Sequence, residues 1–152
     1  MAGVIVGIGA DLVSIDRLEA RLSSVPTLAG RLFPLREREA CAGGAARAGR
    51  TGGAASLAGR FAAKEAVLKA LGSALAEADR RTPDGWRYTD IEVVSATGSP
   101  PRLALHAVVK TTAAQLGVAR WHLSLAHDAG IAQAFVVAES QAGAPAGRLT
   151  PR

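Results

Sequence analysis

Asp11, Arg60, Lys64, Glu65 and Lys69 are the residues whose types and spacing invite a chemical reading. The last four fall within AGRFAAKEAVLKALG (58–72), a stretch with helical spacing in which Glu65 stands four residues before Lys69. At 100° per residue, Leu57, Phe61, Val67, Leu68 and Leu71 make one broad apolar face. Glu65 and Lys69 flank that face, and Arg60 and Lys64 fall within it. A buried charge must be paired, lie at an interface or hold a ligand, because an isolated one is costly. The plain alternative is an exposed Glu–Lys pair worth about a few tenths of a kcal/mol. Three cations with one carboxylate on one helix make an anion-plus-metal site a serious competitor.

Two further stretches carry polar groups at element ends. In GIGAD (7–11), glycines after a strand would let backbone approach a ligand, and Asp11 could bind a hard cation such as Mg²⁺ or act as an N-cap. The pattern lacks the third glycine of a dinucleotide fingerprint. In WHLSLAHD (121–128), strand alternation puts His122, Ser124 and Ala126 on one face and Leu123, Leu125 and His127 on the other. Ser124 and His127 therefore diverge, and with no nucleophile elbow a hydrolytic triad is excluded. His127 and Asp128 read as ligand contacts or as turn residues.

The elements that must position these groups follow from periodicity. VIVGIG (4–9) reads as a buried strand, and Leu12, Ile15, Leu18 and Leu22 as a helix capped by Asp11 or Ser14. That helix exposes Arg17 and Arg21. Residues 26–40 read as irregular with a short helix at LREREA, and 42–56 as a mobile Gly/Ala loop. Gly72 is placed to stop the helix of 58–72. IEVVSAT (91–97) and RLALHAV (102–108) suggest a hairpin around GSPP, VVKTTAAQLG (108–117) a helix, and WHLSLAH with AQAFVVAE (132–139) a second hairpin. The expected fold class is α+β, a small antiparallel sheet packed with helices, in one domain over 1–139 followed by a disordered tail over 140–152.

The composition narrows the classes. The chain has 152 residues, 49% apolar and only 4% aromatic, so its small side chains require close helix–sheet contact or a partner subunit. A net charge of +5 suits anionic partners or simple solubility. A single cysteine, Cys41, rules out an intrachain disulfide and any multi-cysteine metal site. There is no basic leader and no 18-residue apolar run, so the expected location is cytoplasmic, with no membrane partner.

GIGAD, RFAAKEAVLKALG and HLSLAHD, in that order, resemble the holo-acyl-carrier-protein synthases, the short bacterial class of 4′-phosphopantetheinyl transferases. The resemblance spans roughly residues 3–139, and the helix motif is its most specific part. It implies the 4′-phosphopantetheinyl transferase fold in one copy per chain. It also implies Mg²⁺-dependent transfer of phosphopantetheine from coenzyme A to a serine of apo-acyl carrier protein, releasing adenosine 3′,5′-bisphosphate for fatty acid or polyketide synthesis. By that resemblance Asp11 and Glu65 hold the metal, and Lys69 assists the leaving phosphate. The base is Glu65 or a metal-bound water it orients.

Coenzyme A contacts are expected from Arg60, Lys64, Lys69, Gly98, Pro100, His122, Ser124, His127 and Asp128, and carrier contacts from Arg17 and Arg21. A homotrimer with active sites between subunits is also implied. Two positions depart from the family pattern: Ala126 stands where Ser or Thr is usual, and Ser99 replaces the usual lysine of the turn. A basic nucleic-acid-binding module is the rival, but it leaves Asp11 and Glu65 without a role and has few aromatics. The larger two-lobed transferases would need a second copy of these motifs, which the chain lacks.

Overall fold

A computed structural model describes residues 3–47, 53–96 and 98–141. The elements are β1 (Ile5–Ser14), α1 (Ile15–Ser24), α2 (Leu28–Leu32), α3 (Leu35–Arg47), α4 (Ala54–Glu77), a 3₁₀ turn (Tyr88–Asp90), β2 (Ile91–Val94), β3 (Arg102–Leu105), α5 (Ala107–Gln115), β4 (Val118–Asp128) and β5 (Ile131–Ser140). The fold is α+β. β1, β5 and β4 form an antiparallel sheet in that order, and β2 pairs with β3 in a separate hairpin.

α4 is the central element. Twelve of its residues are buried, from Ala58 to Leu75, and they point to more than one side. A helix buried around its circumference lies in a core rather than on one. The sheet covers one flank, while α3 and β2 pack elsewhere along it. The single apolar face expected from the helical wheel is therefore replaced by several contact faces. Ala62, Ala66 and Ala70 are small enough to allow a close approach, and glycines on β1 complete it. A Cβ on Gly9 would collide with the carbonyl oxygen of Ala66, and one on Gly7 with that of Ala70. These glycines bring the strand against the helix rather than against a ligand, which corrects the expectation from GIGAD.

Several boundaries differ from the periodicity. β1 runs through Asp11 to Ser14, and Ser14 is the N-cap of α1, its Oγ accepting from the Arg17 amide at 3.3 Å. Asp11 is thus a strand residue and no cap. α4 continues past Gly72 to Glu77, because neighbouring Leu71, Ala74 and Leu75 are buried and tertiary packing outweighs the glycine's cost. Part of the expected 42–56 loop is helix, in the last turn of α3 and the first of α4. Residues 48–52 of that loop lie outside the described residues. Ser140 belongs to β5, its amide bonded to the Val4 carbonyl, so the ordered domain extends past 139; the expected tail from 142 onward lies outside the described residues.

Candidate active site

Strand alternation decides which residues of β1 can meet α4. Gly7, Gly9 and Val13 are buried on the α4 side, and Asp11 shares their parity. Gly7 lies over Ala70 and Gly9 over Ala66, so β1 runs antiparallel to α4, and the long Lys69 side chain reaches along the strand to Asp11. Asp11 Oδ1 lies 2.7 Å from Lys69 Nζ, which also donates to the Ala10 carbonyl at 3.1 Å. Glu65, one turn earlier on α4, accepts a hydrogen bond at Oε1 from the Tyr88 hydroxyl at 2.6 Å. Burial first, then the hydrogen bond to Glu65 and the charges of Glu65 and Asp11, push the Tyr88 phenol up to about 12. Two pairs thus stand near the β1–α4 crossing, Asp11 with Lys69 and Glu65 with Tyr88.

A second group lies farther toward the start of α4. Arg60 is buried, and it lines a cavity of about 540 Å³ together with Glu19, Cys41, Ser56, Leu125 and His127. Its Nη1 donates to Ser56 Oγ at 2.6 Å and its Nη2 to Ser95 Oγ at 3.0 Å, while its Nε has no partner. Among the described residues no carboxylate pairs with this guanidinium, so it retains charge for an anion. Arg60 and Glu65 are separated by about 7.5 Å along the helix axis at 1.5 Å per residue.

Lys64 points the other way. Its ammonium is fully buried, 2.8 Å from Glu37 Oε2, and donates to the carbonyls of Tyr88 (3.1 Å) and Ile91. An ammonium paired with a buried carboxylate and donating to two carbonyls has no access to a phosphate from outside. Burial lowers the Lys64 pKa, opposed by Glu37, and the same ammonium sits 5.6 Å from the Phe33 ring centroid. The expectation that Lys64 binds coenzyme A phosphate is corrected on this ground: it is an internal staple between α4, α3 and β2.

The remaining candidates are dispersed. His122 and Ser124 pair across β4–β5 with Val137 and Phe135, on the sheet face away from α4. His122 Nε2 lies 2.6 Å from Glu139 Oε2, and this hydrogen bond holds the Glu139 carboxyl below its usual range. Asp128 Oδ1 accepts from the Ala129 amide at 2.9 Å and so shapes the β4–β5 turn, where Ala129 and Gly130 have positive φ. Gly98 and Pro100 lie in the β2–β3 turn and do not line the cavity. Arg17 and Arg21 are exposed on α1.

Sequence reasoning missed Tyr88 and Glu37. Tyr88 is the chain's only tyrosine and sits in a short turn with no periodicity to mark it. Glu37 had a usable signal: Phe33, Glu37 and Cys41 recur every four residues, and all three are buried. A carboxylate inside that stripe is the partner that a lysine on an apolar face requires.

Comparisons with known proteins identify the family. The family model described as the 4′-phosphopantetheinyl transferase superfamily matches residues 7–137. This chain belongs to that superfamily. A holo-[acyl-carrier-protein] synthase of Streptomyces coelicolor is 48% identical over 135 residues, covering 89% of this chain and 98% of the relative. One from Frankia casuarinae is 46% identical, covering 90% and 98%. Among solved structures, the Mycobacterium tuberculosis acyl carrier protein synthase aligns with a TM-score of 0.66 at 30% identity, covering 91% of this chain and all of that one. A Bacillus anthracis holo-(acyl-carrier-protein) synthase, solved in complex with CoA (3′,5′-ADP), aligns at 0.64 and 30% identity, covering 90% and 98%. The chain is thus a phosphopantetheinyl transferase of the holo-acyl-carrier-protein synthase kind.

Proposed function

We propose that this enzyme transfers 4′-phosphopantetheine from coenzyme A to a serine of apo-acyl carrier protein in a Mg²⁺-dependent reaction. The carrier serves fatty acid or polyketide synthesis in the cytoplasm. The observation that carries the reading is the Lys69–Asp11 ion pair between α4 and β1, with Glu65 one helical turn from Lys69. Two carboxylates in one region suit Mg²⁺, which commonly takes one or two carboxylates and completes its shell with substrate phosphates and water. Asp11 and Glu65 are the residues that would hold it. When bound, the ion neutralises charge that grows on the phosphates as the diphosphate breaks.

The chain's own groups supply the rest. Glu65 takes, or orients the water that takes, the proton of the carrier serine. The serine oxygen bonds to the pantetheine-bearing phosphorus, and the bond from that phosphorus to the bridging oxygen breaks. The electron pair leaves with adenosine 3′,5′-bisphosphate. Lys69, half-exposed and held among the described residues at Asp11 and a carbonyl alone, is placed to turn toward that leaving phosphate. Arg60 and His127 at the cavity are the coenzyme A contacts best supported here, because among the described residues no carboxylate forms an ion pair with the guanidinium, whose Nε has no partner. Gly98, Pro100 and Asp128 would be backbone or turn contacts. Arg17 and Arg21 offer a basic landing surface for an acidic carrier.

The outer sheet face supports a trimer with shared sites. Ile8, Leu12 and Phe135 are 49%, 67% and 44% exposed on that one face. Contiguous apolar exposure of this kind marks an interaction surface. His122 and Ser124 lie on it too, so they would reach coenzyme A held against a neighbouring copy. The test is incubation with coenzyme A, Mg²⁺ and several apo-carriers, followed by carrier mass spectrometry. One added phosphopantetheine on a carrier, abolished by chelation, is expected; no added mass on any carrier would refute the function.

A further inference from the structure

Lys64 and Glu65 are consecutive on α4, yet both hold Tyr88. Lys64 Nζ donates to the Tyr88 carbonyl at 3.1 Å and to the Ile91 carbonyl, which pins the 3₁₀ turn at both ends. The ammonium is itself fixed by Glu37, whose Oε1 accepts from the Val93 amide. From this anchored backbone the Tyr88 ring packs against Phe61, with centroids 5.4 Å apart and planes inclined at 53°. Its hydroxyl then reaches Glu65 Oε1 at 2.6 Å. Tyr88 is thus restrained at its carbonyl, its ring and its hydroxyl, and the third restraint falls on a carboxylate at the candidate active site. Among the described residues Glu65 Oε2 makes no hydrogen bond.

We propose that Tyr88 is a positioning residue: its hydroxyl fixes the Glu65 carboxylate through Oε1 and leaves Oε2 open to the divalent cation. The inference rests on the reading of Glu65 as a metal-holding carboxylate. A glutamate side chain has several rotamers, and ordering it on metal binding costs conformational entropy. A donor already in place removes part of that cost, and losing such a partner lowers metal affinity by about 10- to 100-fold in known metal sites. A phenol ordinarily ionises only at about 10, so it remains a donor through the neutral pH range. The Glu37–Lys64 pair acts on the same carboxylate at one remove, by fixing the backbone that carries Tyr88.

The experiment measures Mn²⁺ affinity of the full-length protein with coenzyme A present, from the electron paramagnetic resonance signal of free Mn²⁺. Tyr88→Phe, which keeps the ring on Phe61, should bind Mn²⁺ about tenfold or more weakly, with unchanged circular dichroism. Glu65→Gln should lose the site. If Glu65→Gln loses Mn²⁺ but Tyr88→Phe binds as wild type, the positioning role is wrong and the metal carboxylate stands. If Glu65→Gln binds as wild type, the carboxylate reading fails and this inference with it. A second readout needs no folded variant: Mn²⁺ should perturb the ultraviolet difference spectrum of the single tyrosine in wild type, and a silent tyrosine at saturating Mn²⁺ overturns the proposal.

Discussion

Gly9 on β1 lies against the Ala66 carbonyl on α4, so close that a Cβ would overlap the oxygen. Two residues along the strand is Asp11, three along the helix is Lys69, and these meet at 2.7 Å. The backbone contact therefore sets the distance across which the site is assembled. Gly9→Ala should force strand and helix apart and destabilise the protein by about 1–3 kcal/mol or more, the cost of overpacking a tight contact. Denaturant unfolding measures this, and the folded fraction should still transfer phosphopantetheine poorly. A variant with wild-type midpoint and rate would contradict the packing role.

Lys64→Met should damage stability rather than substrate binding. Removing one partner of a buried ion pair strands the other charge, at about 3–5 kcal/mol. Glu37 would be that stranded group. The coenzyme A KM of the folded enzyme should change little, and the double variant Glu37→Leu/Lys64→Met should recover much of the lost stability. A large rise in coenzyme A KM at unchanged stability would restore Lys64 to the phosphate site.

The sequence singled out Asp11, Arg60, Glu65 and Lys69, but neither their orientations nor their partners Tyr88 and Ser56. Charge spacing on 58–72 identified a helix with something to hold, and alternation in 121–128 separated Ser124 from His127. The helical wheel could not show that α4 is covered on several sides, so Arg60, Lys64 and Glu65 looked alike. Burial separates them: Arg60 lines a cavity, Lys64 closes an internal network, and Glu65 faces Asp11's neighbourhood. Of the two caps the spacing allowed, Ser14 is the real one, and Asp11 falls in the strand because β1 runs on past its glycines. Their real purpose depends on α4, more than fifty residues away, and no local pattern records it.

The single tyrosine gives a direct pH test. Tyr88 should ionise near 12 in the native protein and near the ordinary value of about 10 when unfolded. Because the folded value is the higher one, its contribution to stability is complete below about 10 and is lost as pH rises toward 12. Ultraviolet titration of tyrosinate reads both states. Glu65→Gln should bring the native value only partway down, since burial is the larger cause. A native titration at the unfolded value would mean that the Tyr88–Glu65 contact is not formed.

Phe135 tests the shared-site assembly. Phe135→Arg on the outer sheet face should leave the protomer folded, because the side chain is 44% exposed and lies opposite the α4 core. Sedimentation should show wild type as a trimer and the variant as a smaller species, with transfer falling in parallel. A wild-type monomer with full activity would remove both the trimer and the role given to His122 and Ser124.

The most direct measurement is the single-turnover rate of phosphopantetheine transfer by Glu65→Gln at saturating coenzyme A, Mg²⁺ and apo-carrier. The substitution keeps the side chain's shape and removes only its charge. Loss of metal-borne charge stabilisation worth several kcal/mol predicts a fall of about a hundredfold or more, with the thermal midpoint nearly unchanged. A rate within a fewfold of wild type would contradict the assignment of the β1–α4 crossing as the catalytic centre.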